Sequence, residues 1–274
     1  MIQRILVALS GTPYTPVAIR RAIELAATHQ AKLTGVTVFD VKNITAVGTP
    51  LTGAGDEATW FLYEQLSLST DRIEKAIADF EQACRSARIP FEIKNEKGDP
   101  LDMLVATSRY HDLIILGLRG LFEYGIVREP NNALARLIRE RCFPVLASSK
   151  VYRSINKVMI AYDGSTQAAM MMRRFVPMRL WPQTKIVLAC FEHPETEAMP
   201  WLNDAADYCR AYGFEVGILS LQQPVRKHLI SSAEQQNCDL IALGHSGRSL
   251  MAQKLFGDTA LHMIRETKRP LFIS

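Results

Sequence analysis

The chain repeats itself, and that constrains its fold more than any other feature of the sequence. Ile2-Gln3-Arg4-Ile5-Leu6-Val7-Ala8-Leu9-Ser10-Gly11-Thr12 runs without a gap against Ile155-Asn156-Lys157-Val158-Met159-Ile160-Ala161-Tyr162-Asp163-Gly164-Ser165, and the same register carries Arg20-Arg21 onto Arg173-Arg174. Further on, Asp112-Leu113-Ile114-Ile115-Leu116-Gly117-Leu118-Arg119-Gly120 matches Asp239-Leu240-Ile241-Ala242-Leu243-Gly244-His245-Ser246-Gly247. Near each end, Ile138-Arg139-Glu140 with Pro144-Val145-Leu146 matches Ile264-Arg265-Glu266 with Pro270-Leu271-Phe272. Three matching blocks in one order point to a duplicated domain. The expected division is residues 1–150 and 151–274, with the junction near Lys150 to Ser154.

Within each half, short apolar runs rich in Ile, Val and Leu alternate with longer stretches of helical period. That is the pattern of strands covered on both faces by helices, and it predicts a parallel α/β sheet. In the second half the strands are expected at 158–161, 186–190, 215–220, 240–243 and 271–273, with helices near 165–179, 197–212, 224–236 and 257–267. The first half should follow the same plan, except that the connection from Lys42 to Thr59 reads as a mobile surface loop. Right-handed crossovers then give two doubly wound sheets, with a ligand crevice at the carboxyl ends of the strands where the strand order reverses.

Composition excludes several classes. With 48% apolar and 22% charged residues, the 274-residue chain is expected to be soluble and globular. Residues 1–150 carry 18 basic and 17 acidic side chains, and residues 151–274 carry 14 and 11. That excess is too small and too evenly spread for a nucleic-acid binder. The five cysteines (Cys84, Cys142, Cys190, Cys209, Cys238) show no C-x-x-C spacing and read as reduced thiols. No run approaches the roughly 20 apolar residues of a membrane span, and the opening segment is too short for a signal-peptide core, so the cytoplasm is the expected compartment.

Chemistry is sought in the turns that follow the strands. The first turn of the second half, Ala161-Tyr162-Asp163-Gly164-Ser165, offers a carboxylate at a strand end, a glycine, and a hydroxyl placed to cap the next helix. Asp163 has two open readings: it meets the ribose or adenine edge of a nucleotide, or it only hydrogen-bonds turn amides. The equivalent residue of the first half, Ser10, carries no charge. A second turn reads Gly244-His245-Ser246-Gly247, nine residues, then Gly257-Asp258-Thr259 opening the last helix. Glycines let backbone N–H groups approach a polyphosphate, and a helix start adds free amides and a positive dipole end, so this spacing suits phosphate.

On these residues the chain resembles the universal stress protein family in its tandem two-domain form. The resemblance rests on Tyr162-Asp163-Gly164-Ser165, on Cys238-Asp239-Leu240-Ile241 leading into Gly244, and on the G-x-x-G, nine residues, G-[ST] signature. It implies two α/β domains of the adenine-nucleotide hydrolase-like group. It implies ATP, with or without Mg²⁺, as ligand, and Asp163, Gly244, Gly247, Gly257, Asp258 and Thr259 as contacts. Cys190, at the end of the second strand, is implied as a backbone contact to adenine. It further implies that Pro144–Ala147 and Pro270–Ile273 pair, so that one chain resembles a dimer; a further homodimer stays open. Asp258 departs from the Ser or Thr usual in the family's ATP binders. The first half departs further: ten residues separate Gly120 from Asn131-Asn132, where Gly-Ser would stand, and it is expected to be a structural partner.

Other readings fail. Gly244-His245-Ser246-Gly247 lacks the spacing of a nucleophile elbow, because residue 248 is Arg248. Gly53-Ala54-Gly55-Asp56-Glu57-Ala58 satisfies a loose dinucleotide fingerprint but follows no expected strand. The six histidines show no metal-ligand spacing. Met170-Met171-Met172 reads as core filler and the paired arginines as a solvated helix face. The expectation is a stress-responsive ATP-binding protein with a signalling or protective role and no fast chemistry. Two alternatives stand beside it: a nucleotide-independent module that uses the interdomain surface or the second-domain cavity for another ligand, apolar or not, and an ATP-dependent hydrolase or transferase.

Overall fold

The computed structural model describes residues 2–39, 56–97, 100–119, 137, 144–244 and 258–274. Its contacts group into two compact units, one of Gln3–Cys142 and one of Met1–Ile2 with Phe143–Ser274.

The first unit contains β1 (Arg4–Ala8), α1 (Thr15–His29), β2 (Lys32–Phe39), α2 (Asp56–Ala87), β3 (Phe91–Lys97), α3 (Pro100–Ser108) and β4 (Leu113–Gly117). Its strands lie in the order β3-β2-β1-β4, all parallel. Adjacent residues of a strand point to opposite faces, and two neighbours on β2 show what covers each face. A Cβ on Gly35 would lie 2.8 Å from the Phe80 ring of α2, whereas the Thr34 hydroxyl meets His111, just past α3. Helices therefore cover both faces of this sheet, which is why its strands read as unbroken apolar runs. Of the connection expected as a mobile loop, residues 42–55 lie outside the described residues, and Asp56–Thr59 form the first turn of α2.

The second unit contains β5 (Val145–Ser148), β6 (Lys157–Ala161), α4 (Thr166–Met178), β7 (Lys185–Phe191), α5 (Glu195–Ala211), β8 (Val216–Leu221), α6 (Val225–Gln235), β9 (Leu240–Leu243), α7 (Asp258–Glu266) and β10 (Leu271–Ile273). The elements expected from periodicity are present within two residues at each end. Strand order is β5-β10-β9-β6-β7-β8, parallel except for β5. The α/β, doubly wound parallel architecture read from the sequence is the architecture found.

Strand β5 follows the first repeat in sequence but runs antiparallel to β10, with Val145, Leu146 and Ala147 opposite Ile273, Phe272 and Leu271. That pairing places β5 in the second unit, a few residues before the Lys150–Ser154 junction read from the repeat. The Phe272 ring packs edge-on against Phe175 of α4 at 4.9 Å and is fully buried.

Of the paired arginines, Arg173 and Arg174 are exposed as expected, and the first pair is split. Arg20 is exposed, but Arg21 is 2% exposed and pairs with Glu24 at 2.6 Å. Sequence periodicity marks where a helix faces inward but does not register an arginine neutralised by a carboxylate one turn on. Met171 and Met172 are buried and Met170 is exposed.

The repeated Asp112 and Asp239 have matching structural work. Each carboxylate accepts two backbone N–H groups at the amino end of its unit's central strand: Gln3 and Arg4 at 2.7 and 2.9 Å, Asn156 and Lys157 at 2.8 and 3.1 Å. Asp112→Ala and Asp239→Ala are each expected to lower unfolding free energy by about 1–2 kcal/mol in urea titration. A loss under about 0.3 kcal/mol in both would show that these bonds only replace water.

Candidate functional site

In the second unit β7 and β8 lie on one side of β6 and β9 and β10 on the other. The strand order reverses between β6 and β9, and in open α/β sheets the ligand crevice opens there, at the carboxyl ends. The turn after β6 and the residue after β9 are Asp163-Gly164-Ser165 and Gly244. Helix α7 joins two parallel strands and must run antiparallel to them, so its amino end returns to the same edge of the sheet.

The turn after β6 is tightly specified. Gly164 has φ +73°, a left-handed conformation that favours glycine, and a Cβ there would lie 2.8 Å from the indole of Trp201 on α5. The Asp163 carboxylate is exposed; its Oδ1 accepts the Ser165 N–H at 3.0 Å, and its Oδ2 has no hydrogen-bond partner among the described residues. Ser165 caps α4, its Oγ accepting the Ala168 N–H at 3.2 Å. Both readings of Asp163 therefore hold together: one oxygen steadies the turn and the other faces outward.

Around that carboxylate lie Tyr162, Cys190 and Trp201. Burial, then the Asp163 charge, raises the Tyr162 phenol; the same two causes push the Cys190 thiol up to about 11. Cys190 is 1% exposed and its thiol is oriented toward the Phe191 carbonyl at 3.7 Å, so it is a neutral apolar side chain at neutral pH. Trp201 lies 6.3 Å from Tyr162 and 5.4 Å, edge to face, from His193.

The ladder shows which backbone at the end of β7 faces the crevice. Ala189 accepts the Tyr162 N–H, so its polar groups face β6, while the Glu192 N–H is donated to Leu221 on β8. Alternation along the strand then turns the backbone of Cys190 toward β8 and that of Phe191 toward the end of β6. Phe191 is the backbone facing the end of β6 that the sequence reading did not name. The signal was available in strand parity once the pairing of β6 with β7 was assumed.

Gly244 is half-buried, and its Cβ position lies 2.9 Å from the Gln167 carbonyl oxygen and 3.1 Å from the Ala168 nitrogen in the first turn of α4. Its counterpart Gly117 would meet the Tyr14 Cβ at 2.7 Å at the start of α1. Both glycines are required by close approach of a strand end to a helix start, whatever is bound. Asp258 opens α7 and Thr259, its second residue, is half-buried. Gly247 and Gly257, with His245 and Ser246, lie outside the described residues.

The first unit keeps the turn but not the acid. Gly11 has φ +59°, and its Cβ position is 3.1 Å from the Arg72 backbone of α2. Ser10, 1% exposed, shares hydroxyl contacts of 3.2 to 3.4 Å with Thr12 and Thr15. This inward cluster meets its own hydrogen-bonding needs, whereas Asp163 faces out.

These features define a doubly wound α/β protein whose second unit reverses its strand order between β6 and β9. A sequence model described as "Universal stress protein family" matches residues 1–138 and 191–274, and the chain belongs to that family. The second matched segment contains Gly244, Gly247, Gly257, Asp258 and Thr259; Asp163 and Cys190 precede it. A relative, universal stress protein Slr1230 of Synechocystis sp., is 25% identical over 182 residues, covering 66% of this chain and 63% of that protein. The chain thus spans less than two thirds of that relative's length. Two solved structures share the fold. A universal stress protein from Archaeoglobus fulgidus DSM 4304 superposes with TM-score 0.63 at 15% identity, covering 98% of this chain and 95% of its own. Another, from Pseudomonas aeruginosa UCBPP-PA14, gives TM-score 0.64 at 16% identity, covering 99% and 92%.

Gly164→Ala is expected to cost about 1–3 kcal/mol from the left-handed backbone and the Trp201 contact. Gly217→Ala on β8, with nothing within 4 Å of the new methyl, is the control and should match or exceed wild type. Equal melting temperatures for all three proteins would show that the turn relaxes freely.

Proposed function

We propose that this universal stress protein binds ATP in its second repeat, residues 151–274, and acts in a stress response as a signalling or protective factor. The observation that carries the reading is convergence at one switch point: the unpartnered Asp163 Oδ2, the inward-facing backbone of Phe191, the strand end at Gly244 and the amino end of α7. A carboxylate oxygen and a free strand-end backbone suit the ribose hydroxyls and the adenine edge. A helix amino end suits the phosphates. In this assignment Asp163 orients the nucleoside, the β7 end at Cys190 and Phe191 meets the base, and Gly244, Gly247, Gly257 and Thr259 hold the phosphates. Mg²⁺ carried with ATP takes one or two carboxylates and otherwise phosphate and water oxygens, and in this assignment Asp258, the first residue of α7, would supply one.

The first repeat, residues 1–150, acts as a structural partner, because Ser10 turns its hydroxyl inward. Among the described residues of the site no base is paired with a nucleophile, so bound ATP would be held and sensed and not rapidly cleaved. No described helix is long and apolar enough to cross a membrane, and the small net charge gives nucleic acid no footprint; the working compartment is the cytoplasm. One observation favours the rival reading of a nucleotide-independent module: Trp201, with Tyr162 and His193, gives the turn an apolar flank.

Denaturing the purified protein and resolving released nucleotide by ion-pair chromatography, followed by calorimetry with Mg-ATP, tests the assignment. About one ATP per chain is expected. Gly257→Val should abolish binding with little loss of fold, and Asp163→Ala should weaken it by at least about tenfold, while Ser10→Ala leaves it unchanged. No nucleotide and no heat at millimolar Mg-ATP would transfer the assignment to the rival.

A further inference from the structure

The amino ends of the first unit's strands carry a cavity, at the edge opposite any switch-point site. It has a volume of about 350 Å³ and lies between β1, β3 and the end of α3; Arg4, Lys94, Tyr110 and His111 line it, with Met103 and Ala106 as an apolar wall. Among the described residues no carboxylate lines it. Register places Leu6, Thr34 and Glu92 in one row and Ala8, Val36 and Lys94 in the next, so Lys94 stands beside Glu92 on the face that Thr34 presents to His111.

The lining has donors to spare. Among the described residues the buried Arg4 Nε has no hydrogen-bond partner, and its guanidinium makes one ion contact, at 3.5 Å to Glu92. Glu92 is already occupied: Lys32 pairs with one oxygen and the Thr34 hydroxyl lies 3.1 Å from the other. Lys94 has no ion-pair partner among the described residues, and the Tyr110 side chain is exposed. The nearby Asp112 carboxylate is turned onto the Gln3 and Arg4 amides. The carboxyl end of α3 opposes an anion, but the Thr107 and Ser108 carbonyls are taken by the ring and the N–H of His111.

His111 sits inside this charge set with both nitrogens engaged. The Thr107 carbonyl only accepts, so Nδ1 carries a proton and donates at 2.8 Å, while Nε2 lies 2.9 Å from Thr34 Oγ1. With His111 neutral, the single Thr34 hydroxyl proton is contested between Nε2 and Glu92. A second proton on the ring resolves the contest, because Nε2–H then donates to Thr34 and Thr34 to Glu92. Burial, with the charges of Arg4 and Lys94, opposes that proton, and the Thr107 bond and Glu92 favour it; the net shift is downward. An anion beside the ring would reverse the balance.

We propose that this cavity binds the phosphate group of a small phosphomonoester, with Arg4, Lys94 and Tyr110 donating to its oxygens and Met103 and Ala106 against its carbon skeleton. Ring nitrogens committed to Thr107 and Thr34 make His111 a charge partner and not a donor. A cavity of this size, at the small end for ligand sites, admits a sugar phosphate. The site is separate from the proposed ATP site and does not depend on it.

The test follows the His111 ring by NMR through a pH titration, with ribose 5-phosphate or inorganic phosphate added against NaCl of equal ionic strength. Ribose 5-phosphate is expected to raise the His111 titration midpoint by about half a pH unit or more, at lower concentration than inorganic phosphate. Asp163→Ala should give the same rise, and Lys94→Gln and Arg4→Gln should remove it; Lys94 is the safer variant because it lies on the end strand. An unmoved midpoint, an equal rise with NaCl, or an equal rise in Lys94→Gln would overturn the site. Equal potency of inorganic phosphate would overturn the ester.

Discussion

Everything at the second unit's crevice depends on β6 being hydrogen-bonded on both edges. β7 holds one side in register from Lys157 to Ala161, and β9 holds the other from Val158 to Ala161. A strand so held cannot shift by one residue without turning buried Val158 and Ile160 to the opposite face. The point at which the chain leaves the sheet is therefore fixed, and with it the position of Asp163 relative to Phe191 and Gly244. The first unit has the same arrangement, with β1 between β2 and β4, which is why the two turns share their glycine geometry despite different chemistry.

Much of the fold could be read from the sequence because burial wrote it there twice. Apolar runs such as Leu240–Leu243 and Ile186–Cys190 have one stable use in a chain with helical connections between them, and the repeat fixed their order. What periodicity could not supply was partnership. Arg21 looks like a surface residue until Glu24 is placed beside it. The long α2 begins among residues whose composition suggested a loop, since Asp56 and Glu57 suit a helix start as well as a turn. The unit to which β5 belongs is decided by a partner more than a hundred residues away.

The site was legible in part. Residue types at strand ends pointed to Asp163 and Gly244, and the structure puts both just past the two strands between which the order reverses. Spacing alone could not reveal that Gly244 is demanded by Gln167 and Ala168, nor that Phe191 presents its backbone inward where Cys190 does not. The first follows from packing between elements distant in sequence and the second from ladder parity. Both are properties of pairs, and a sequence read one residue at a time lacks them.

The close approach of Gly117 to Tyr14 and of Gly244 to Gln167 bears on how chains of this kind diverge. A glycine held by a neighbouring backbone persists after a ligand is lost, because removing it breaks the sheet before it affects any binding. Glycine motifs in such folds therefore record ancestry, and counting them would score both halves of this chain as binding sites. The position shared by Ser10 and Asp163 is where the two copies part: a hydroxyl turned inward at 1% exposure in the first and an exposed carboxylate in the second, so it tells the turns apart where the glycines do not.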